Sequence, residues 1–173
     1  MTKELIIAFI SRDRPGVVEQ LAAIVSENSG NWLESRVAHL AETFTGVIRI
    51  NVSEVNADAL CDALDALKKD DFEIMVKNTD ASAPATSPVI NFEIQGPDQK
   101  GIVHELSRTI ASLGASVEEM ETRLDSAPVS GEPLFVADTK VRLPDGLSED
   151  DFRDALENSA SSLFVDIAIV EDD

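Results

Sequence analysis

The sequence has few of the residues that bind nucleic acids or cross-link secreted proteins. Its single cysteine, Cys61, excludes an internal disulfide bond. With one tryptophan and no tyrosine, it has no aromatic platform on which RNA bases could stack. Lys and Arg total 14 against 33 Asp and Glu, and the resulting formal charge of −19 disfavours contact with a phosphate backbone. No apolar run approaches the ~18 residues that would span a bilayer, so we expect neither a nucleic acid nor a membrane as partner.

The motifs of common enzymes and metal sites are also missing. The sequence has no Gly-x-Ser-x-Gly nucleophile motif, and no Gly-x-Gly-x-x-Gly motif follows an apolar run. Gly96 and Gly101 have the spacing of a phosphate loop, but Ile102 and Val103 stand where Lys and Ser or Thr are needed. We therefore expect no catalytic residue, no metal and no cofactor. An enzyme would need an active site assembled across the two halves of the chain, which no linear motif reveals.

The remaining composition predicts a folded protein of the cytoplasm. Apolar residues make up 43% of the chain, too many for a disordered acidic protein. The start, residues 1–5, lacks the basic and apolar regions of a signal peptide. Together with the lone cysteine, this start favours a cytoplasmic protein.

The chain divides into two similar halves around a segment of small residues and prolines. That composition is typical of an extended linker. A constant offset of 85 carries Asp13 onto Asp98 and Gly16 onto Gly101, and the apolar positions that follow are also shared. An offset held over this length indicates an internal duplication. The sequence thus predicts three segments: a domain at 1–79, a linker at 80–88 and a second domain at 89–173.

Hydrophobic periodicity predicts the same order of elements in both halves. Period-two runs are typical of strands, and apolar residues at i, i+3, i+4 and i+7 are typical of helices. The order predicts an α+β fold of two ferredoxin-like βαββαβ domains, each a four-stranded antiparallel sheet with two helices on one face. The predicted elements of the first half are strand 5–10, helix 15–28, strands 32–40 and 44–52, helix 56–69 and strand 72–76. Those of the second half are strand 89–94, helix 100–113, strands 116–124 and 134–143, helix 148–160 and strand 164–170.

A turn of the form Asp-x-x-Gly joins the first strand to the first helix of each half. Pro15 is expected in the first helical turn, where its missing N–H costs nothing, and Asp13 is expected to cap the helix. Ser148 followed by Asp151 predicts the start of the last helix. The turn could also hold an α-amino acid, because helix N–H groups suit a carboxylate and an Asp can accept from an ammonium group. Capping and ligand binding therefore both remain open for this turn.

Two stretches carry a resemblance to a known family. Residues 13–18, with 31–36 after the helix, resemble the ACT domain. Residues 30–36 followed by 44–46 are similar to the glycine cleavage system transcriptional repressor family, whose members are tandem ACT proteins. The resemblance covers nearly the whole chain and implies a regulatory sensor of a small amino acid such as glycine or serine.

The resemblance also implies which residues contact the ligand. ACT domains commonly bind it between the first strand–helix loop of one copy and a neighbouring copy. In the second half Gln99 and Lys100 replace the Arg-Pro pair and Ser116 replaces an Asn, so that site departs from the family pattern. The implied ligand-binding positions are Ser11, Asp13, Arg14, Gly16 and Asn31 in the first half, and Gly96, Asp98, Gly101 and Ser116 in the second.

The expected function is non-enzymatic regulation. The family resembled here acts by binding a transcriptional regulator protein, and thin single-sheet domains favour a homodimer. The alternative is a protein–protein interaction scaffold that binds no ligand. Since residues 81–173 carry −13 of the charge, a division of labour follows as a hypothesis: the first half senses, and the acidic second half contacts the partner.

Overall fold

The computed structural model describes residues 1–79, 87–127 and 131–170. It divides the chain into two compact units, Met1–Ala83 and Pro84–Asp173. Most of the predicted linker, residues 80–86, lies outside the described residues, so the proposed linker limits stay a prediction. Of the helices in the described ranges, none is long and apolar enough to cross a membrane.

The first unit is a four-stranded antiparallel sheet with two helices. The strand order is β2-β3-β1-β4, so the first strand lies at the centre of the sheet. A short 3-10 turn, Leu67–Asp70, follows the second helix. The elements are β1 Thr2–Arg12, α1 Val17–Glu27, β2 Asn31–Leu40, β3 Thr43–Ser53, α2 Glu54–Ala66 and β4 Phe72–Thr79.

The second unit repeats this topology. Its strand order is β6-β7-β5-β8, again antiparallel throughout. The elements are β5 Val89–Pro97, α3 Ile102–Ser112, β6 Ser116–Ser126, β7 Pro133–Arg142, α4 Glu149–Leu163 and β8 Asp166–Val170. The predicted α+β fold with two ferredoxin-like βαββαβ units is confirmed.

Each unit has its own hydrophobic core, and strand alternation decides which residues enter it. In β1, Leu5, Ile7 and Phe9 are buried against the helices, whereas the residues between them lie on the other face. In the second unit Phe92 of β5 packs on Phe152 of α4, with ring centroids 5.9 Å apart. Each such side chain contributes about 1.5–3 kcal/mol by leaving water.

The structure contradicts the expected roles of Pro15 and Asp13 at the start of α1, and it confirms the predicted start of α4. Helix α1 begins at Val17 after the N-cap Gly16, whose φ of 90° is left-handed. Pro15 therefore precedes the helix, and the Asp13 carboxylate accepts no hydrogen bond from the first helical turn, so both expectations were wrong. At α4 the hydroxyl of Ser148 accepts a hydrogen bond from the backbone N–H of Asp151 at 3.1 Å, which confirms that predicted start.

Thr139 is a buried polar residue in the second core. It is 4% exposed, and its Oγ1 has no hydrogen-bond partner. Thr139 pairs with Phe92, as Ile48 pairs with Ile7 in the first unit, so a hydroxyl occupies a core position that is aliphatic in the other copy. An unsatisfied buried hydroxyl destabilises a fold, because it has lost its bonds to water without replacement.

Thr139→Val is expected to raise the free energy of unfolding of the second unit by about 1 kcal/mol. The matched control is Thr45→Val, which removes a real hydrogen bond from Thr45 Oγ1 to the Phe9 carbonyl at 2.7 Å and should destabilise the first unit. Urea titrations of both variants measure whether each substitution raises or lowers the free energy of unfolding. A loss of stability in Thr139→Val would show that its hydroxyl is satisfied.

Candidate functional site

The turn between β1 and α1, which we call the first corner (residues 11–16), ends at an uncapped helix N-terminus. Gly16 is the N-cap, and no side chain accepts a hydrogen bond from the first helical turn. The free N–H groups of that turn carry the positive end of the helix dipole. A Cβ added at Gly16 would meet no other atom within 4 Å, so there is room for a side chain. The φ of 90° nevertheless favours glycine, because other residues are strained in this left-handed conformation.

Asp13 lies in the middle of the first corner and faces the end of the β2–β3 hairpin. Its carboxylate lies 3.3 Å from Nε2 of His39, and both side chains are about half exposed. Its backbone N–H donates to the carbonyl of Glu42 at 3.0 Å. The hairpin thus holds the loop in place and leaves the carboxylate open to a second donor.

Arg14 and Ser11 are held by contacts within the first unit. Arg14 donates to Oε1 of Gln20 at 2.7 Å, and its guanidinium carbon lies 5.6 Å from the ring centroid of Phe72. Ser11 is 4% exposed and donates to the carbonyl of Arg12 at 3.2 Å. Of the first-half positions, the structure brings together Ser11, Asp13, Arg14 and Gly16.

Asn31 lies at the opposite end of the same sheet. It begins β2 and pairs with Asn51, which in turn pairs with Glu4 of β1. Asp13 is nine residues further along the chain than Glu4. At about 3.3 Å per residue, Asn31 and Asp13 of one unit are roughly 30 Å apart. Ser116 lies likewise far from the second corner, because it pairs with Arg142 opposite Val89.

The equivalent second corner (residues 96–101) offers fewer polar groups. Gly101 caps α3 with a φ of 96°, again without a side-chain cap. Asp98 is exposed, and its N–H donates to the carbonyl of Pro133 at 3.2 Å. Leu124 stands at the strand position of His39, opposite Phe135 as His39 is opposite Phe44. This corner has therefore lost the imidazole that faces the Asp.

The packing around Gly96 explains why this position is a glycine. A Cβ at this position would lie 2.6 Å from Cγ1 of Val165 and 2.9 Å from its Cα, closer than real contacts allow. In the first unit the corresponding residue is Ser11, which pairs with Phe72 of β4. The glycine is required by the close approach of the chain before β8, so ligand contact is not needed to explain it.

Other reactive groups in the described residues form no competing site. Burial raises the pKa of the Cys61 thiol, and the carboxylates of Asp58 and Asp62 raise it further, so the reactive thiolate is disfavoured. Within residues 1–79, 87–127 and 131–170, no group of three His, Cys, Asp or Glu side chains could hold a metal ion. A groove of about 300 Å³ lies between α4 and β8, and its lining residues, Arg153, Glu157, Ile167 and Ile169, belong to neither corner.

His39, which contacts the first corner through Asp13, is the residue that the sequence analysis missed. It lies 26 residues after Asp13, and its side chain reaches the corner only because β2 and β3 form a hairpin whose end meets the end of β1. The pairing of a strand at 31–40 with the strand that follows it was the signal that could have identified His39.

Comparison with known proteins points to one family. Residues 3–77 match the family model of the ACT domain. A structure of an unknown protein from Galdieria sulphuraria superposes with a TM-score of 0.82 at 26% identity, covering 100% of both chains. A structure provisionally named a glycine cleavage system transcriptional repressor superposes with a TM-score of 0.75 over 99% of both chains, and at 18% identity it shows the fold alone.

A curated relative matches a shorter stretch. A UPF0237 protein of Methanococcus maripaludis is 27% identical over 56 residues, which are 32% of this chain. The match spans 62% of that relative's length. The match therefore covers less than a third of this chain and less than two thirds of that relative.

Proposed function

We propose that the chain is a tandem ACT-domain protein and a non-enzymatic cytoplasmic regulator that binds a small amino acid, glycine or one of similar size. The family match of residues 3–77 supports a regulatory, ligand-binding role. The proposal has two further parts, which are the identity of the ligand and the identity of the protein that responds to ligand binding.

The observation that carries the proposal is the first corner. Its uncapped helix N-terminus offers N–H groups to a carboxylate, and the half-exposed carboxylate of Asp13 offers an acceptor to an ammonium group. An α-amino acid carries both charges, because its ammonium and carboxylate groups are attached to the same α-carbon. A small side chain suits the site, since Arg14 and Phe72 occupy the space beside the loop.

Completing the proposed site requires a second ACT unit. A single unit separates Asn31 from Asp13 by the length of the sheet, so one small ligand cannot touch both. We infer that a ligand at the first corner meets the start of a β2-type strand from another unit. Binding would then favour one arrangement of units over another, which is how a ligand can change the affinity for a partner.

The proposed partner is a transcriptional regulator protein rather than DNA. The resemblance of residues 30–36 and 44–46 to the glycine cleavage system transcriptional repressor family implies this class of partner, and the formal charge of −19 favours a protein surface over a phosphate backbone. In this proposal repression follows when the regulator is held by the tandem protein.

Calorimetric titration with glycine, serine and alanine tests the ligand. The wild-type protein is expected to bind at least one of them, and Asp13→Asn to weaken that binding by about tenfold or more, since it removes a charge-assisted hydrogen bond. Asp98→Asn tests the second corner, where a smaller effect is expected. Asp58→Asn, an exposed change on α2, is the matched control and should bind like the wild type. A folded wild-type protein that binds none of the three at about 10 mM would contradict the sensor proposal.

Capture of partners from cell extract, with and without glycine, separates the sensor from a ligand-free scaffold. The sensor predicts that glycine changes the amount of regulator recovered and that Asp13→Asn abolishes this change. A scaffold predicts the same recovery under every condition. Recovery unaffected by any small amino acid would favour the scaffold.

A further inference from the structure

Strand β8 forms an open edge of the second sheet and has a groove beside it. In the strand order β6-β7-β5-β8, it pairs with β5 on one side and ends the described sheet on the other. A strand in this position presents backbone N–H and C=O groups along its open side, and these groups form a template for a further strand. Asp166, Ala168 and Val170 are exposed along β8. The edge is therefore accessible to another polypeptide.

The groove of about 300 Å³ between α4 and β8 has apolar and charged walls. Ile167 and Ile169 form its β8 side and lie partly buried against the second core. Arg153 and Glu157, one turn apart on α4, form the opposite side. Residues of an added strand directly opposite Ile167 and Ile169 would share their face of the sheet, so their side chains would enter the groove. Aliphatic side chains suit these positions, because they would bury apolar surface there.

The hydrogen-bonding capacity of Arg153 is not fully used within the second unit. Its Nε atom is buried without a hydrogen-bond partner, and its Nη2 atom lies 3.4 Å from Oε1 of Glu149, which is long for a hydrogen bond. The side chain is 41% exposed, so it has room to turn. A strand beside the groove brings carbonyl oxygens toward this guanidinium, and a new acceptor would recover the missing hydrogen bond.

The surroundings of the groove are strongly acidic. Residues 149–170 have one basic side chain, Arg153, against six acidic ones, which are Glu149, Asp150, Asp151, Asp154, Glu157 and Asp166. On the face of the sheet away from the helices, Glu93 of β5 lies opposite Ala168. Carboxylates therefore flank β8 on both faces of the sheet. This arrangement attracts a segment rich in Lys and Arg and repels an acidic one.

The equivalent edge of the first unit is protected by a lysine. Lys77 of β4 pairs with Ile6 of β1. At the offset of 85 from Ile6, the corresponding pair of the second unit is Asn91 and Val170. Lysine on an edge strand discourages pairing with another chain. Since β8 has a valine at this position and no basic residue, its edge lacks that protection.

We propose that β8 and its groove bind an extended, basic segment of a partner protein, which joins the second sheet as a fifth strand. Strand addition of this kind is a recurring mode of peptide recognition, in which backbone pairing supplies affinity and pockets for alternate side chains supply specificity. Aliphatic residues of the segment enter the groove, and Lys or Arg residues between them meet the carboxylates of Asp166 and Glu93. The proposal does not depend on an amino-acid ligand, so failure of glycine binding would leave it intact.

Fluorescence anisotropy with a labelled seven-residue peptide of alternating lysine and valine tests the proposal on the full chain. We expect a Kd of about 100 µM or lower, rising with salt because salt screens the attraction, and no binding of the matching glutamate–valine peptide. Two further peptides carry backbone N-methyl groups, one at every valine and one at every lysine. Because N–H groups alternate in direction along a strand, one of the two should bind at least about tenfold more weakly and the other should bind like the parent.

Variants and hydrogen exchange locate the site. Val170→Lys, which installs the lysine of the first unit, and Glu157→Gln, which removes a groove carboxylate, should both weaken binding, the former by about tenfold. Val55→Lys is the matched control, because Val55 is 90% exposed on α2 of the first unit and the change is identical. Circular dichroism checks that each variant is folded. The backbone amides of β8 should exchange more slowly with the peptide bound, and those of β4 should not change.

Three results would overturn the proposal. The first is no binding of the lysine–valine peptide at about 1 mM. The second is equal binding of the two N-methylated peptides, since attraction between charges alone does not distinguish them. The third is binding that is unchanged by Val170→Lys and Glu157→Gln, or weakened equally by Val55→Lys.

Discussion

Phe152→Ala is expected to unfold the second unit at a much lower temperature while the first unit keeps its own transition. Phe152 is fully buried and packs on Phe92, inside a cluster whose members all belong to the second unit. Replacing a buried Phe by Ala costs about 3–5 kcal/mol, because transfer energy is lost and a cavity remains. That loss is comparable with the whole stability of a small domain, about 5–15 kcal/mol.

The single tryptophan makes this result measurable. Trp32 is half-buried against the first core, and the chain has no tyrosine, so its fluorescence reports on the first unit. In Phe152→Ala the fluorescence transition should stay in place while circular dichroism shows an earlier transition. Phe9→Ala is the converse control and should shift the fluorescence transition, since Phe9 is 2% exposed in the first core. A fluorescence transition that moves equally in both variants would show that the two cores unfold as one.

Gly96→Ser is expected to destabilise the second unit by about 3 kcal/mol, the upper part of the range for overpacking. Serine is the residue that the first unit has at this position, as Ser11. The added Cβ would lie 2.6 Å and 2.9 Å from Cγ1 and Cα of Val165. A backbone atom cannot move aside as a side chain does, so the start of β8 must shift.

The reverse substitution in the first unit, Ser11→Gly, is the control for exchanging glycine and serine at this position. Ser11→Gly introduces no clash and should cost only about 1 kcal/mol in backbone entropy. Urea titration with circular dichroism measures both. If Gly96→Ser instead kept full stability and lost amino-acid binding, Gly96 would be a ligand contact and the packing explanation would be wrong. The second corner therefore cannot be converted to the first by exchanging one residue.

Much of the fold followed from local pattern. The offset of 85 placed Asp98 on Asp13 and Gly101 on Gly16, and both glycines turn out to be left-handed N-caps. The strand at 5–10 was predicted from its short apolar run, and strand alternation then places Leu5, Ile7 and Phe9 on the buried face. The expectation of an Asp13 cap was wrong because the spacing of Asp-x-x-Gly does not reveal which residue has positive φ.

The sequence by itself determined the two-copy organisation and the order of elements, because these follow from a repeat offset and from hydrophobic spacings of a few residues. Tertiary structure decided what the candidate residues do. The register of β2 on β3 brings His39 to Asp13 and carries Asn31 to the far end of the sheet. The approach of Val165 explains Gly96, and pairing of three strands gathers Ala8, Val47 and Met75 into one exposed surface. These contacts join residues far apart in the chain, so only the folded backbone can set them.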